Sequence, residues 1–258
     1  MIAFRKTRRV NCETKLNNVP DAVKRTGASP KPRLDFLPLA GRVCRRYQNG
    51  VTGERKYRLG ILGSGRGTNF TAIADACATG IIPAEVAIVM SDVESAPILD
   101  RARERGLAAR FIPPGNFRTK LDEAAEQAYI TALQEAGVDL VVLAGYMRIL
   151  KGEFLRAFPQ RVVNIHPALL PSFPGLEAWR QALDYGVKFT GVTVHFVDQG
   201  VDTGPILAQQ TVPVLAGDTP ATLHARMQEV ERVLYPATIA ALARGEVSVR
   251  GRHTIWRS

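Results

Sequence analysis

The sequence predicts an α/β fold: a doubly wound, mostly parallel sheet with antiparallel strands near the C-terminal part. Short apolar segments alternate with helical segments from Tyr57 onward, and two of the helical segments end at glycines, Gly80 and Gly106. The segment VDLVVLAGY, 138–146, is nearly continuously apolar, as strands are when both faces of a parallel sheet are covered. After about residue 190, apolar and polar residues alternate, which is typical of half-exposed antiparallel strands.

The predicted elements follow one another in order along the chain. YRLGILG, 57–63, is an apolar strand ending in glycine, and TNFTAIADACATG, 68–80, has helical spacing and a glycine stop. Further strands are predicted at 84–91, 108–112, 138–146 and 161–166, with helices at 96–106, 120–137 and 151–158. Strands at 190–198 and 205–214 are expected to pair antiparallel, before a closing helix, 221–245, that Pro236 interrupts.

The positive charge of the chain is concentrated in its first 57 residues. Residues 1–57 contain 14 Lys and Arg against 4 Asp and Glu, whereas residues 58–258 contain 20 of each, so the first segment accounts for the net charge of +10. This segment has no sustained periodicity, and we predict a basic, disordered N-terminal extension. It could be an upstream region outside the natural protein, a targeting peptide or an RNA-binding arm. The charge-balanced remainder disfavours nucleic-acid binding.

The cysteine spacing and the hydropathy indicate the setting of the protein. Cys12, Cys44 and Cys77 are far apart and odd in number, which predicts neither a disulfide framework nor a zinc site. A reducing, cytoplasmic location is the expectation, with organelle targeting by the basic extension as the alternative. No apolar run reaches the roughly 18 residues of a membrane-spanning helix, so we expect no membrane segment.

A glycine-rich turn separates the first predicted strand from the first helix. GILGSGRGTN places Gly63, Gly65 and Gly67 in this turn, followed by Thr68 as a candidate helix cap. Backbone N–H groups at such a helix start can bind an anion, which favours a phosphate or carboxylate site. The spacing matches neither the dinucleotide fingerprint nor the nucleoside triphosphate loop. A tight strand-to-helix turn without a ligand is the alternative.

Three polar side chains stand among apolar neighbours in the C-terminal half. Asn164 and His166 alternate along one strand and share a face, and Asp202 lies in the glycine-flanked loop QGVDTGPIL. A carboxylate near an imidazole orients it and favours its protonated form. A cationic histidine beside an amide could stabilise an oxyanion, which suits acyl transfer to a nucleophile carried by the substrate. A buried histidine bonded to a backbone carbonyl is the alternative.

The segment AGYMRIL, 144–150, leaves the apolar strand with an aromatic, a thioether and a basic side chain. Such a turn at the carboxyl end of a strand could form a wall for a flat aromatic ligand. A helix entry whose Met147 and Leu150 pack in the core explains the pattern equally well. His195 is expected to line the pocket only, and His224 to be an ordinary surface or helix residue.

Together these motifs resemble the glycinamide ribonucleotide formyltransferases, a folate-dependent formyltransferase family of purine synthesis. The resemblance runs from about Arg58 to about Gly245 and rests on GSGRGTN, VVLAGYMRIL, VNIHPALLPSFPGLEAWRQAL, GVTVHFVDQGVDTGPIL and RMQEVERVLYP. It implies a formyltransferase catalytic domain over residues 58–258, with a Rossmann-like sheet, formyl-tetrahydrofolate as cosubstrate and no metal.

The resemblance also implies a role for each site residue. Asn164 and His166 would stabilise the tetrahedral intermediate, with Asp202 acting on His166. Glycinamide ribonucleotide would be held by Gly67, Thr68, Asn69 and Glu231. The folate would be held by Asn164 and, largely through backbone atoms, by Met147, Arg148, Ile149 and Leu150. Lys120 is a further candidate folate residue, as a contact to the glutamate tail, although it stands where an arginine is common. Glu177 and Trp179 stand where histidines are common.

Other functions stay open beside the expected one. Methionyl-tRNA formyltransferase would carry a tRNA-binding domain after the catalytic one, and only 56 residues follow Asp202. A formyl-tetrahydrofolate hydrolase would carry a patterned regulatory domain before it. A folate-binding or RNA-associated protein that works through the basic arm is a third alternative. The sequence does not settle the oligomeric state, and a homodimer is one alternative.

Overall fold

The computed structural model describes residues 55–257. The predicted disordered extension therefore lies outside the described residues, apart from residues 55–57. The strands are β1 Tyr57–Leu62, β2 Ala84–Ser91, β3 Ala109–Phe111, β4 Leu140–Leu143, β5 Val162–His166, β6 Phe189–Phe196, β7 Ile206–Pro213, β8 Val247–Arg250 and β9 His253–Trp256. The helices are α1 Thr68–Ala78, α2 Pro97–Glu104, α3 Glu123–Glu135, α4 Gly152–Ala157, α5 Ala178–Tyr185 and α6 Pro220–Ala243.

The first seven strands form one sheet in the order β3-β2-β1-β4-β5-β6-β7. The five strands from β3 to β5 pair parallel, and β6 and β7 continue the sheet antiparallel. The predicted α/β fold class is thus confirmed. The chain winds outward in one direction from β1 and in the other from β4, so the topological switch point lies between these two strands. The turn after β1 and the segment after β4 open into the same crevice.

Helices cover the parallel part of the sheet and bury its apolar faces. One core cluster joins α1, α2 and α6 to the sheet, and includes the fully buried Phe70, Ile98 and Tyr235. A second cluster joins α3 and α4 to the sheet, and includes Tyr129 and Phe154. The near-continuous apolar character of β4, whose four residues are all buried, follows from these two layers.

The closing helix differs from the sequence expectation, because α6 continues through Pro236 as one element. Proline removes one helical hydrogen bond and normally kinks or ends a helix. Here Pro236 is buried beside Tyr235, whose hydroxyl donates to the carbonyls of Leu143 and Val163 at 3.0 Å each. Packing of the helix against β6 and β7, together with these two bonds to β4 and β5, therefore outweighs the local penalty. No helix among residues 55–257 is long and apolar enough to cross a membrane.

Candidate active site

Strands β5 and β6 present three of the site's polar side chains on one face of the sheet. Asn164 pairs across the strands with His195, and His166 pairs with Thr193. Directly opposite residues share a face in an antiparallel pair, so the side chains of Asn164, His166 and His195 are neighbours. His166 and His195 are buried, and Asn164 is partly buried.

The loop between β6 and β7 brings Asp202 to these side chains. Asp202 Oδ2 lies 3.4 Å from His166 Nδ1, and Asp202 Oδ1 lies 3.8 Å from His195 Nε2. The backbone N–H of Gly175 donates to Asp202 Oδ2 at 2.8 Å, which fixes the carboxylate. Asp202 itself has a φ of 54°, an uncommon conformation for a residue other than glycine. The structure thus brings together the three residues that the sequence singled out for the chemistry.

The other nitrogen of His166 meets a backbone carbonyl. His166 Nε2 lies 2.8 Å from the carbonyl oxygen of Phe173, which can only accept, so Nε2 carries a proton. This contact is also the one expected from the alternative interpretation, in which His166 is a buried histidine bonded to a backbone carbonyl. The carboxylate at Nδ1 is an additional feature that this alternative does not need.

His195 is a neutral histidine that orients Asn164. Burial lowers the pKa of His195, and its Nδ1–H donates to the carbonyl of Phe196 at 2.9 Å. The unprotonated Nε2 then accepts from the amide nitrogen of Asn164 at 3.4 Å. An amide nitrogen has two N–H groups, so Asn164 keeps a second donor for a ligand. His195 thus does more than line the pocket.

The glycine-rich turn holds the start of α1 close to α2. Gly67 is the residue before the helix, with a left-handed φ of 74°. A Cβ atom at Gly67 would lie 2.8 Å from the side chain of Ile98, so a larger residue does not fit without a shift. The hydroxyl of Thr68 belongs to the first helical residue and does not cap the helix. The open backbone at Gly65, where a Cβ would meet nothing within 4 Å, leaves room for a ligand at the helix start.

Asn69 and Glu231 form a buried pair beside this helix start. The side-chain nitrogen of Asn69 donates to Glu231 Oε2 at 2.9 Å, and Asn69 Oδ1 has no hydrogen-bond partner among the described residues. Burial raises the pKa of Glu231, and the bond from Asn69 partly opposes that shift. A buried carboxyl and an unsatisfied amide oxygen next to the start of a helix can bind the hydroxyl groups of a sugar phosphate.

The segment 147–150 is held in place by a buried acid. Asp92 accepts from Arg148 Nε at 2.7 Å and also from the hydroxyl of Ser64. The Ser64 hydroxyl in turn accepts from the backbone N–H of Met147 at 2.9 Å. The Arg148 guanidinium also donates to the carbonyl of Phe117 at 2.8 Å, so this side chain supports the segment from behind.

The segment 147–150 presents a partly apolar surface. The side chain of Met147 is 60% exposed, Ile149 is 38% exposed and Leu150 is buried. Lys120 lies beside Ile149, where the two residues form a parallel bridge, and its ammonium group sits over the ring of Phe117 at 4.2 Å. Of the predicted folate residues, Met147, Ile149 and Lys120 are therefore exposed next to one another on one side of the segment, and Leu150 packs beneath them.

Sequence reasoning missed several residues of this region. Asp92 directly follows β2, and Ser64 lies two residues after the end of β1. A polar residue just after a buried strand is the signal that could have found both of them. His224, expected to be an ordinary surface or helix residue, stacks on Trp179 with ring centroids 3.8 Å apart. Burial, followed by the nearby charge of Arg66, lowers the pKa of His224.

Comparison with known proteins decides the family. The sequence profile described as Formyl transferase matches residues 57–239. The chain belongs to the formyl transferase family. It is 48% identical over 199 residues to a phosphoribosylglycinamide formyltransferase of Mycobacterium tuberculosis, covering 76% of this chain and 89% of that protein.

A longer relative and several solved structures also match the chain. The chain is 39% identical over 196 residues to the human trifunctional purine biosynthetic protein adenosine-3, of which it spans only 19%. Among solved structures, a glycinamide ribonucleotide transformylase 1 from Symbiobacterium toebii superposes with a TM-score of 0.78 at 47% identity, covering 82% of this chain and 99% of that one. A formyltetrahydrofolate deformylase from Pseudomonas syringae gives a TM-score of 0.73 at 25% identity over 79% of this chain and 67% of that one. Membership of the formyl transferase family thus leaves the acceptor of the formyl group as the question.

Proposed function

We propose that the chain transfers the formyl group of formyl-tetrahydrofolate to the amine of glycinamide ribonucleotide. The products are formylglycinamide ribonucleotide and tetrahydrofolate. Higher identity to proteins named for this activity than to the deformylase supports this choice of acceptor. The other activities of the trifunctional relatives are not part of the proposal, because the chain spans only a fifth of their length.

The single observation that carries the proposal is the cluster of Asn164, His166 and Asp202, in which the carboxylate lies 3.4 Å from the imidazole. The amine of the ribonucleotide attacks the formyl carbon, and negative charge develops on the formyl oxygen. The free N–H of Asn164 and the Nε2–H of His166 stabilise this oxygen, as donors in an oxyanion hole do. The nitrogen of the folate then leaves with a proton, and the attacking amine loses one.

His166 must change its partner for this step. Its Nε2–H donates to the carbonyl of Phe173, and we propose that the formyl oxygen replaces this carbonyl when both substrates are bound. Asp202 at Nδ1 stabilises the imidazolium and holds the ring in place. The chemistry needs no serine or cysteine nucleophile, and we expect it to need no metal.

The ribonucleotide would lie along the start of α1. Gly67, Thr68 and Asn69 would contact its phosphate and ribose at the helix start, where backbone N–H groups and the helix dipole favour an anion. Glu231 and the unsatisfied oxygen of Asn69 would meet the sugar hydroxyls. A water-using hydrolase has no need of such a site, which is a second reason to prefer the ribonucleotide as acceptor.

The folate would lie against the segment Met147, Arg148, Ile149 and Leu150. The backbone N–H of Met147 and that of Ile149 already donate to Ser64 and to Thr119, so other backbone groups of the segment would bind the pterin. The ammonium group of Lys120 lies at the edge of this segment and suits the negative charge of a glutamate tail.

An assay with three acceptors tests the proposal. The full chain is given formyl-tetrahydrofolate with glycinamide ribonucleotide, with methionyl-tRNA or with water alone. Formyl transfer to the ribonucleotide at a rate at least 100-fold above the other two is the expected result, and release of free formate as the main product would overturn it. A cytoplasmic location stays a prediction from the sequence, which names a homodimer only as one alternative for the oligomeric state.

A further inference from the structure

The hairpin of β8 and β9 lies outside the part of the chain that matches the family profile, residues 57–239. It forms a separate two-stranded sheet next to the edge strand β7. Its two strands are joined by a two-residue turn, Gly251 and Arg252. This hairpin was not predicted from the sequence, and the proposed chemistry does not use it.

Three side chains of the hairpin donate to main-chain carbonyls in and beside the loop that carries Asp202. The guanidinium of Arg252 donates to the carbonyl of Thr203 at 3.0 Å. The hydroxyl of Thr254 donates to the carbonyl of Ile206 at 2.9 Å, and the indole N–H of Trp256 donates to that of Leu207 at 3.2 Å. Thr203 directly follows Asp202, so the hairpin is bonded to the residue next to the catalytic carboxylate.

The loop around Asp202 needs such support. Asp202 is in the left-handed region, with a φ of 54°, a conformation that persists where the surroundings hold it. Inside the loop, Asp198 accepts from the backbone N–H of Gly200 at 3.0 Å and from the hydroxyl of Thr203 at 2.6 Å. These bonds tie the loop to itself. The bonds from Arg252, Thr254 and Trp256 join the loop and the start of β7 to another element.

We infer that the C-terminal hairpin is a brace for Asp202, and that Arg252 and Thr254 are positioning residues for the carboxylate that faces His166. The inference rests on the proposed function. The bonds come from side chains and not from a strand ladder, so substituting Arg252 and Thr254 removes the two bonds nearest to Asp202 without removing the hairpin. A loop that shifts would leave the carboxylate farther from His166 than 3.4 Å, and misplacement of a catalytic group by about 1 Å can cost up to about 100-fold in rate.

The test uses the full chain with Arg252→Ala and Thr254→Val, singly and combined. The combined variant is expected to lose about 10-fold in kcat, while KM for both substrates stays within about twofold, because the binding residues lie elsewhere. Arg252→Lys, which keeps a hydrogen-bond donor, is expected to retain most of the kcat that Arg252→Ala loses. His253→Gln is the matched control, because His253 is an exposed histidine of the same hairpin. An unchanged kcat in the combined variant would overturn the brace.

Hydrogen exchange provides a second measurement that needs no substrate. Amides of residues 198–204 are expected to exchange at least about fivefold faster in the combined variant than in the wild type, while amides of β1 and β4 do not change. If the loop exchanged at the same rate in the combined variant and the wild type, the inferred role of the hairpin would be wrong, whatever reaction the protein catalyses. If the wild-type chain did not formylate glycinamide ribonucleotide, only the proposed function would be wrong. The exchange measurement would still decide the role of the hairpin.

Discussion

The substitution Asp202→Asn removes the negative charge of the carboxylate and keeps the size and shape of the side chain. The oxygen of an asparagine side chain can still accept from the N–H of Gly175, now at 2.8 Å, so the loop is expected to keep its geometry. What is lost is the negative charge 3.4 Å from His166 Nδ1. Two unit charges at this distance attract by about 5 kcal/mol when the effective dielectric constant is near 20, which is the ceiling for the effect.

The expected loss is smaller than this ceiling. Desolvation of the two groups opposes the attraction, and hydrogen bonds to charged groups contribute about 1.5–3 kcal/mol in practice. Since about 1.4 kcal/mol corresponds to a factor of ten, kcat should fall between roughly 10-fold and 150-fold. KM for either substrate should change by less than about threefold, because the charge acts on the transition state.

The assay follows formyl transfer to glycinamide ribonucleotide at saturating concentrations of both substrates. Asp184→Asn is the control, because Asp184 is an exposed acid on α5 and the same charge is removed there. The control should keep the wild-type kcat. A loss of less than about threefold in Asp202→Asn would refute the reasoning, since the charge beside His166 would then contribute nothing. A loss well above about 5,000-fold would exceed the Coulomb ceiling and assign Asp202 another task.

Three further substitutions test the two ends of the crevice. Because burial raises the pKa of Glu231 above its usual 4.5, the stability that the neutral carboxyl contributes is present below pH 4.5 and is lost as the pH rises from there through the raised pKa. The melting temperature of Glu231→Gln relative to wild type should therefore rise with pH above 4.5, while KM for the ribonucleotide rises, and a parallel pH dependence of both proteins would contradict this. Asp92→Asn should raise KM for the folate about 10-fold and leave the ribonucleotide KM unchanged, because it weakens the bond that holds Arg148; equal changes in both would contradict it. Gly67→Ala should lower the melting temperature and raise the ribonucleotide KM, because φ is positive and Ile98 blocks the methyl group; an unaltered melting temperature would contradict it.

Local patterns were sufficient to predict the sheet and the polar ends of its strands. The four-residue apolar run of β4 reports burial on two faces, and the alternation of β7 reports burial on one face, which is a property of each strand by itself. The expectation of a half-exposed β6 was wrong, because every residue of β6 after Phe189 is buried between its neighbours. Asn164 and His166 could be assigned to one face because the side-chain period of a strand is two. Pro236 was misread for the opposite reason, since the contacts of Tyr235 that keep α6 continuous come from strands more than 70 residues away.

The residues that sequence reasoning missed act through partners that are distant in the chain. Asp92 matters because Ser64 and Arg148 approach it from two other strand ends, and no periodicity of β2 reports that approach. His224 gains its stacked partner Trp179 from another helix. The hairpin is different, because two short β-rich runs around Gly251 and Arg252 form a local signal that could have been recognised. Its contact with the loop of Asp202, however, follows only from the packing against β7.

The catalytic cluster contains one carboxylate, Asp202, and two histidines, and the carboxylate serves only His166 because His195 is neutral. Burial lowers the pKa of His195, so this ring stays neutral and receives a hydrogen bond from Asn164 instead of competing for Asp202. Asp202 Oδ2 is closer to His166 than Asp202 Oδ1 is to His195, 3.4 Å against 3.8 Å, and the attraction favours the nearer ring. If both rings were protonated, their repulsion across β5 and β6 would weaken the donors that face the formyl oxygen. A neutral His195 therefore leaves the single carboxylate to His166. His195→Lys, which introduces a cation at this position, should lower kcat for formyl transfer more than His195→Gln does, and equal values of kcat in the two variants would contradict this argument.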